Sequence, residues 1–212
     1  MLKGIDLSHH NRFMANHKDI NNYDFVIMKA SEGKSYRDNF RSRWESFLDP
    51  KILRGYYHYA RPEMNSAHDE VLNFVSSIAA VDHPYIIALD VEGAALYAPN
   101  LDEWCLSWCQ DVEKVTGIKP MIYCSAAETK RFKKCAEYGS GLWVAKWSNK
   151  KPTKSDIKPW EFWAIWQYTS NGACSNVKVD ENYFNGTKEQ FIKYAGGVTN
   201  ESEDTDTNKR TD

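Results

Sequence analysis

Short apolar runs alternate along the chain with amphipathic stretches, the pattern of strands followed by helices. Strands are predicted at Lys3–Ser8, Asp24–Ser31, Leu53–Ala60, Tyr85–Glu92, Lys119–Cys124, Gly141–Trp147, Phe162–Tyr168 and Asn176–Asp180. Val71, Phe74, Val75 and Ile78 recur at helical spacing and predict a helix over Ser66–Val81. Further helices are expected over Asn39–Leu48, Leu101–Thr116 and Ala126–Glu137. The third of these four can be capped by Asn100 or Asp102 and ended by Gly117. Eight strands in this order predict an α/β fold whose mainly parallel sheet closes into a barrel. A full barrel of eight such units takes about 250 residues, with about 200 as the low end. Here the apolar pattern stops near residue 195, and the last four strands follow one another with few helix signals. The expectation is an irregular, shortened TIM-like barrel over 1–195 that loses helices in its second half. Residues 196–212 have almost nothing apolar and are expected to be a disordered polar tail or the stub of a linker.

Side chains alternate between the two faces of a strand. In Tyr85-Ile-Ile-Ala-Leu-Asp90-Val-Glu92, this sends Tyr85, Ile87, Leu89 and Val91 towards the helices. Ile86, Ala88, Asp90 and Glu92 point into the barrel. Two carboxylates thus share the inner face at the C-terminal end of a buried strand, about 6.6 Å apart at Cα. Asp6 closes the first strand and Asp180 the last, and in a closed barrel those strands are neighbours. The four acids should therefore meet at the mouth, where barrels place their chemistry. Carboxylates whose environments drive their pKa values apart are the equipment of glycoside hydrolysis.

Bulk properties narrow the alternatives. The 212 residues carry 27 Lys and Arg against 29 Asp and Glu, a net charge of −2, which gives no reason to expect a nucleic-acid partner. No run is long and apolar enough to enter a membrane. Five cysteines without close pairs argue against a disulfide framework or a zinc site. Cys105 and Cys109, four apart, read as small buried residues. Four acids could hold a divalent metal, but no histidine stands at a matching strand end except His9 or His10. Neither a phosphate loop nor a G-x-S-x-G nucleophile is present. No metal and no cofactor are expected.

Aromatic residues sit beside the acids. Tyr57 and Tyr59 share a face with Gly55, Tyr123 ends its strand, and Trp147 and Tyr168 close two more. Flat rings with a polar edge suit the apolar face of a sugar. Trp143, Trp160, Trp163 and Trp166 read first as core. His58 should face the helices, and Lys29 and Glu32 are candidates for a rim pair or a plain surface pair.

The segments Gly4-Ile-Asp6-Leu-Ser-His-His-Asn, Asp24-Phe-Val-Ile-Met-Lys-Ala-Ser-Glu-Gly33, Gly55-Tyr-Tyr-His-Tyr, Ala88-Leu-Asp90-Val-Glu92-Gly, Pro120-Met-Ile-Tyr123, Leu142-Trp-Val-Ala-Lys-Trp147, Trp166-Gln-Tyr168 and Val179-Asp180-Glu-Asn182 together resemble the glycoside hydrolase family 25 lysozymes. These are bacterial and phage N-acetylmuramidases, and the likeness runs in order from Gly4 to Phe191. It implies five βα units followed by three strands, (β/α)5(β)3. It implies cleavage, with retention and no metal, of the β-1,4 bond from N-acetylmuramic acid to N-acetylglucosamine in peptidoglycan. By position, Glu92 matches the proton donor, and Asp6, Asp90 and Asp180 match the other active-site carboxylates. Tyr59, Tyr123, Trp147, Gln167 and Tyr168 are the expected substrate-binding residues. Two positions depart from the pattern. Arg12 stands where a glycine is frequent, and Glu181 stands where an apolar residue is usual; its charge is expected to raise the pKa of Asp180 or to displace it.

The expected partner is therefore the glycan strand of the bacterial cell wall, met by a monomer. The N-terminus carries no secretory leader. That suits a chain held in the cytoplasm until release, as phage and prophage lysins are, or one whose leader is missing here. The competing readings are a glycan-binding barrel without catalysis and a chitinase-like hydrolase. The latter would need further acids where Tyr85 and Ala88 stand.

Overall fold

The structure, a computed structural model, describes residues 1–197. Nine strands form one sheet: β1 (Leu2–Leu7), β2 (Phe25–Glu32), β3 (Tyr36–Arg37), β4 (Leu53–Tyr59), β5 (Tyr85–Asp90), β6 (Met121–Ser125), β7 (Leu142–Ala145), β8 (Ile165–Cys174) and β9 (Val177–Phe184). Five α-helices accompany them: α1 (Arg41–Glu45), α2 (Ala67–Ile78), α3 (Leu101–Thr116), α4 (Lys133–Tyr138) and α5 (Lys188–Tyr194). The sheet runs β1-β9-β8-β7-β6-β5-β4-β2 and closes through pairing of β1 with β2, while β3 is a short flange on β2. The result is the expected closed, eight-stranded α/β barrel. Helical connections, the first made only of 3-10 turns, follow β1, β2, β4, β5 and β6, and three strands complete the circle.

Several elements depart from expectation: β8 runs on to Cys174 rather than stopping at Tyr168, and α1 is shorter than Asn39–Leu48. The last strand does not end at Asp180 but continues to Phe184, and it runs antiparallel to both neighbours. A tight hairpin from β8 leaves no length for a crossover, so the chain must come back the other way. The helix expected over Ala126–Glu137 breaks into a 3-10 turn, Thr129–Arg131, and α4. Asn100 stands at the start of α3 in a left-handed conformation without a side-chain cap. Asp102 instead accepts the backbone N–H of Lys134, at 2.8 Å.

Two apolar layers follow from strand alternation. Outside the strands, Ile87, Leu89 and Val91 pack with Val71, Phe74 and Ile78 of α2 and with Cys105, Trp108, Cys109 and Val112 of α3. All five cysteines are buried as free thiols. Inside the barrel lie Phe25, Ile27, Tyr57, Ile86, Ala88, Tyr123, Trp143, Ile165 and Phe184. Gly4 is required here, because a Cβ would meet the Phe25 ring at 2.4 Å. The floor is sealed by α5, whose Phe191 ring lies 5.1 Å from Phe184 and 5.5 Å from Phe25. That helix starts with a capping box between Thr187 and Gln190. Among the described residues, no helix is long and apolar enough to cross a membrane. Beyond Gly197, the polar stretch expected as a tail lies outside the described residues.

Candidate active site

The interior of the barrel is apolar at its floor and polar at its mouth. At the C-terminal ends of the parallel strands a cavity of about 340 Å³ opens, lined by Asp6, Asp90, Glu92 and Asp180 together with Lys29, Tyr59, Tyr123 and Gln167. The alternation that sends Ile86 and Ala88 into the core carries Asp90 to the cavity wall. Glu92 follows just beyond β5, on the accessible lip. Gly93 then turns the chain at φ +58°, and a Cβ there would meet the Tyr59 hydroxyl at 2.9 Å.

Asp180 reaches the site by a route different from the other three acids. β9 begins at the mouth and runs downward, and its pairing sets Asp180 directly opposite Asp6. Their side chains are within hydrogen-bond reach of each other. Asp6 Oδ2 also accepts from Asn182 Nδ2 (2.8 Å) and Gln167 Nε2 (3.0 Å). Those amides are held in turn: Trp143 Nε1 donates to Asn182 Oδ1 (2.8 Å), and Tyr123 OH to Gln167 Oε1 (3.0 Å). Asp6 therefore sits in a fixed orientation on a layer of interlocked polar side chains.

Asp90 is different. Its Oδ1 is buried and has no hydrogen-bond partner in the protein. Burial first, then the neighbouring Glu92, pushes its pKa well above the ordinary value, and Lys29 pulls the other way. Burial and Asp180 together push Asp6 up, against the two amides. Glu92 is raised by desolvation and by Asp180. Asp180 is raised by desolvation, offset by its contact with Asp6. Tyr59, between Asp90 and the lip, is pushed up to about 12 by burial and the adjacent carboxylates, so it remains a neutral donor.

The remaining expected residues divide. Tyr59, Tyr123 and Gln167 line the cavity. Trp147 lies just beyond β7 with 65% of its surface exposed, and its Nε1 donates to Gln167 Oε1 at 3.0 Å. Tyr168 is not brought to the cavity. Its neighbour Gln167 takes the inward position, so Tyr168 faces outward, stacks on Tyr183 at 4.6 Å and donates to Glu181. Glu181 likewise turns away from Asp180. Lys3 (3.0 Å) and Tyr23 (3.1 Å) engage its Oε1, and these partners with Tyr168 hold its pKa low against burial. The expected disturbance of Asp180 by Glu181 is therefore absent; desolvation is what raises Asp180.

Some residues at the site were given no site role in the sequence. Asn182, which holds Asp6, lies two positions past Asp180 on the same strand face, and Trp143, read as core, lies two before Ala145 and lines the cavity. Both could have been found by parity. Lys29, expected to form a rim pair or a plain surface pair with Glu32, is instead the inward residue after Phe25 and Ile27. Ser170 and Lys178 come from the irregular β8–β9 hairpin, which periodicity does not resolve.

The profile described as glycosyl hydrolases family 25 matches residues 5–177. Lysozyme M1 of Streptomyces globisporus is 27% identical over 93% of this chain and 72% of its own length. The uncharacterized protein YegX of Escherichia coli K12 is 32% identical over 82% of this chain, and the match spans 64% of that relative's length. The crystal structure of a bacterial lysozyme from Streptomyces coelicolor superposes with a TM-score of 0.80 at 26% identity, covering 92% of this chain and 96% of that one. A family 25 lysozyme from Aspergillus fumigatus gives 0.77 at 27%, covering 92% and 98%. With the profile running over most of the barrel and over three of the four cavity acids, the chain belongs to glycosyl hydrolase family 25.

Proposed function

We propose that the chain is a muramidase, cleaving with retention the β-1,4 bond between N-acetylmuramic acid and N-acetylglucosamine in bacterial peptidoglycan. The observation that carries this reading is the meeting of four carboxyl groups in one cavity, all with raised pKa values, of which only Glu92 stands on the open lip. A carboxyl that keeps its proton towards neutral pH, within reach of an entering glycan, is suited to protonate a leaving oxygen.

Glu92 gives its proton to the glycosidic oxygen as the C1–O bond breaks. The carbonyl oxygen of the substrate's own acetamido group closes on C1 from the opposite face. Asp90, whose Oδ1 has no protein partner, accepts the acetamido N–H and faces the positive charge that develops. Water then opens the ring, losing a proton to the Glu92 carboxylate, and the starting configuration is restored. Asp6 and Asp180, sharing one proton, form the wall that orients the sugar. Tyr59, Tyr123 and Trp147 offer ring faces, and Gln167 ties two of them together.

Mass spectrometry of muropeptides after digestion tests the proposal. New fragments ending in reducing N-acetylmuramic acid are expected, and none with Glu92→Gln. Unchanged cell walls with the wild-type chain would leave the non-catalytic glycan-binding barrel as the better description.

A further inference from the structure

Lys29 is the only lysine or arginine that the fold buries among the described residues, at 6% exposure. It follows Phe25 and Ile27 on the inward face of β2, so an ammonium occupies the next position after two core side chains. Burying a cation costs several kcal/mol unless its surroundings repay it, and here they are elaborate. Nζ donates to Glu32 Oε2 at 2.7 Å and lies 4.7 Å from the centre of the Tyr59 ring and 5.6 Å from that of Tyr36. The other Glu32 oxygen takes Arg61 Nη1 at 3.1 Å, and Arg61 Nε is held by Glu63 at 2.7 Å. Asn73 of α2 pins the turn behind them through Gly33 O (2.8 Å) and Tyr36 O (3.0 Å). The ammonium is thus fixed from outside, and Lys29 lines the same cavity as Asp90 and Glu92.

We propose that Lys29 is a positioning residue of the muramidase reaction: it supplies the buried positive charge on the cavity wall that favours the ionised form of Asp90 against its burial. The proposal rests on the muramidase reading above. It resolves a conflict in the site. Asp90 must carry negative charge to steady the reacting sugar, yet it is buried and faces a second acid. Asp6 and Asp180 are not served by this cation; Asn182 and Gln167 donate to Asp6 instead, and Asp180 lies against it. The titratable and charged groups around Lys29 are Glu32 on its own strand, Tyr36 of β3, Tyr59 of β4, Arg61 after it, Asp90 of β5, Glu92 beyond it, and more distantly His10 and His58. Burial lowers the pKa of His58, against the pull of Glu70, and burial with neighbouring cations lowers that of His10, so both are biased away from carrying the charge that Lys29 does.

The test is the pH profile of kcat/KM on purified cell walls for wild type, Lys29→Met and Lys29→Arg. An opposite charge at close range moves a carboxyl by about 1–3 pH units. Both limbs of the Lys29→Met profile are therefore expected to move to higher pH by about one unit, with kcat falling at least tenfold near neutrality and KM changing little. Lys29→Arg, which keeps the charge, should hold both limbs near wild type. If Lys29→Met loses its circular dichroism signal, Lys29→Gln is read instead, since its amide can still donate to Glu32. Carbon-13 titration of the Asp90 carboxyl in a Glu92→Gln background gives a readout independent of turnover; adding Lys29→Met should raise it. Limbs and titration that coincide with wild type would overturn the role of Lys29 even with Glu92→Gln inactive. A fully active Glu92→Gln would overturn the muramidase reading itself.

Discussion

Asp6 of β1 and Asp180 of β9 face each other as direct partners across an antiparallel strand pair, while Asn182 and Gln167 hold Asp6 from the side. Two carboxylates so placed cannot both ionise freely, and removing one relieves the other. Asp180→Asn is expected to lower the pKa of Asp6, followed by carbon-13 NMR of its carboxyl. No downward movement of that titration would separate the two groups.

The pH profile of the wild-type enzyme should reflect the raised Glu92. In the proposed reaction its useful form is the protonated one, so activity is expected to persist until Glu92 loses its proton. That loss falls above the range near 4.3 where an exposed glutamate titrates. The basic limb of kcat/KM should lie above that range and vanish with Glu92→Gln, whose residual lysis is expected to be lower by about 10²–10⁴-fold.

Stability should move against activity. Asp90 has a folded-state pKa raised above its unfolded value, so its contribution favours folding at low pH. That contribution is lost as pH rises through the folded pKa. At neutral pH, Asp90→Asn removes this cost and should raise the melting temperature by roughly 2–4 °C, the equivalent of about 1 kcal/mol in a domain of this size. Lysis should be lost at the same time. A lower melting temperature at neutral pH would contradict the sign.

Phe191 fills the barrel floor between Phe25 and Phe184 with about 1% of its surface exposed. Phe191→Ala should cost about 3–5 kcal/mol in chemical denaturation. The KM of the remaining folded enzyme should stay near wild type, because the cavity lies at the other end of the strands.

Tyr168 and Trp147 make an informative pair. Tyr168→Phe removes only an outward contact to Glu181 and is expected to leave kcat/KM within about twofold, a typical scatter for a surface change. Trp147→Ala removes an exposed ring beside Gln167 and should raise KM several-fold on cell walls. Equal effects of the two substitutions would mean that Trp147 does not meet the glycan.

Legibility followed the regularity of the backbone. Period-two alternation in β5 placed Asp90 and Glu92 together, because a central parallel strand leaves each side chain only two directions. Alternation says nothing of strand direction, so the reversal of β9 was invisible although its meeting with Asp6 was not. The resemblance put both Gln167 and Tyr168 in the site, but adjacent residues of a strand cannot share a face, and only Gln167 turns to the cavity. α5 is short and half-apolar, and its Thr187-x-x-Gln190 cap was the signal available for it. Lys29 is expected with Glu32 either at the rim of the site or as a plain surface pair, and the sequence does not choose between them. Its place is evident only once β2 is seen to turn the Phe25–Ile27 face inward.

The reversal of β9 has a practical result for anyone attaching this enzyme to something else. β1 starts, and β9 and α5 finish, on the underside of the barrel, at the opposite end of the strands from the cavity that holds the four acids. A fluorophore placed on the outer face of α5 would therefore sit at the far side of the barrel from Asp6, Asp90 and Glu92.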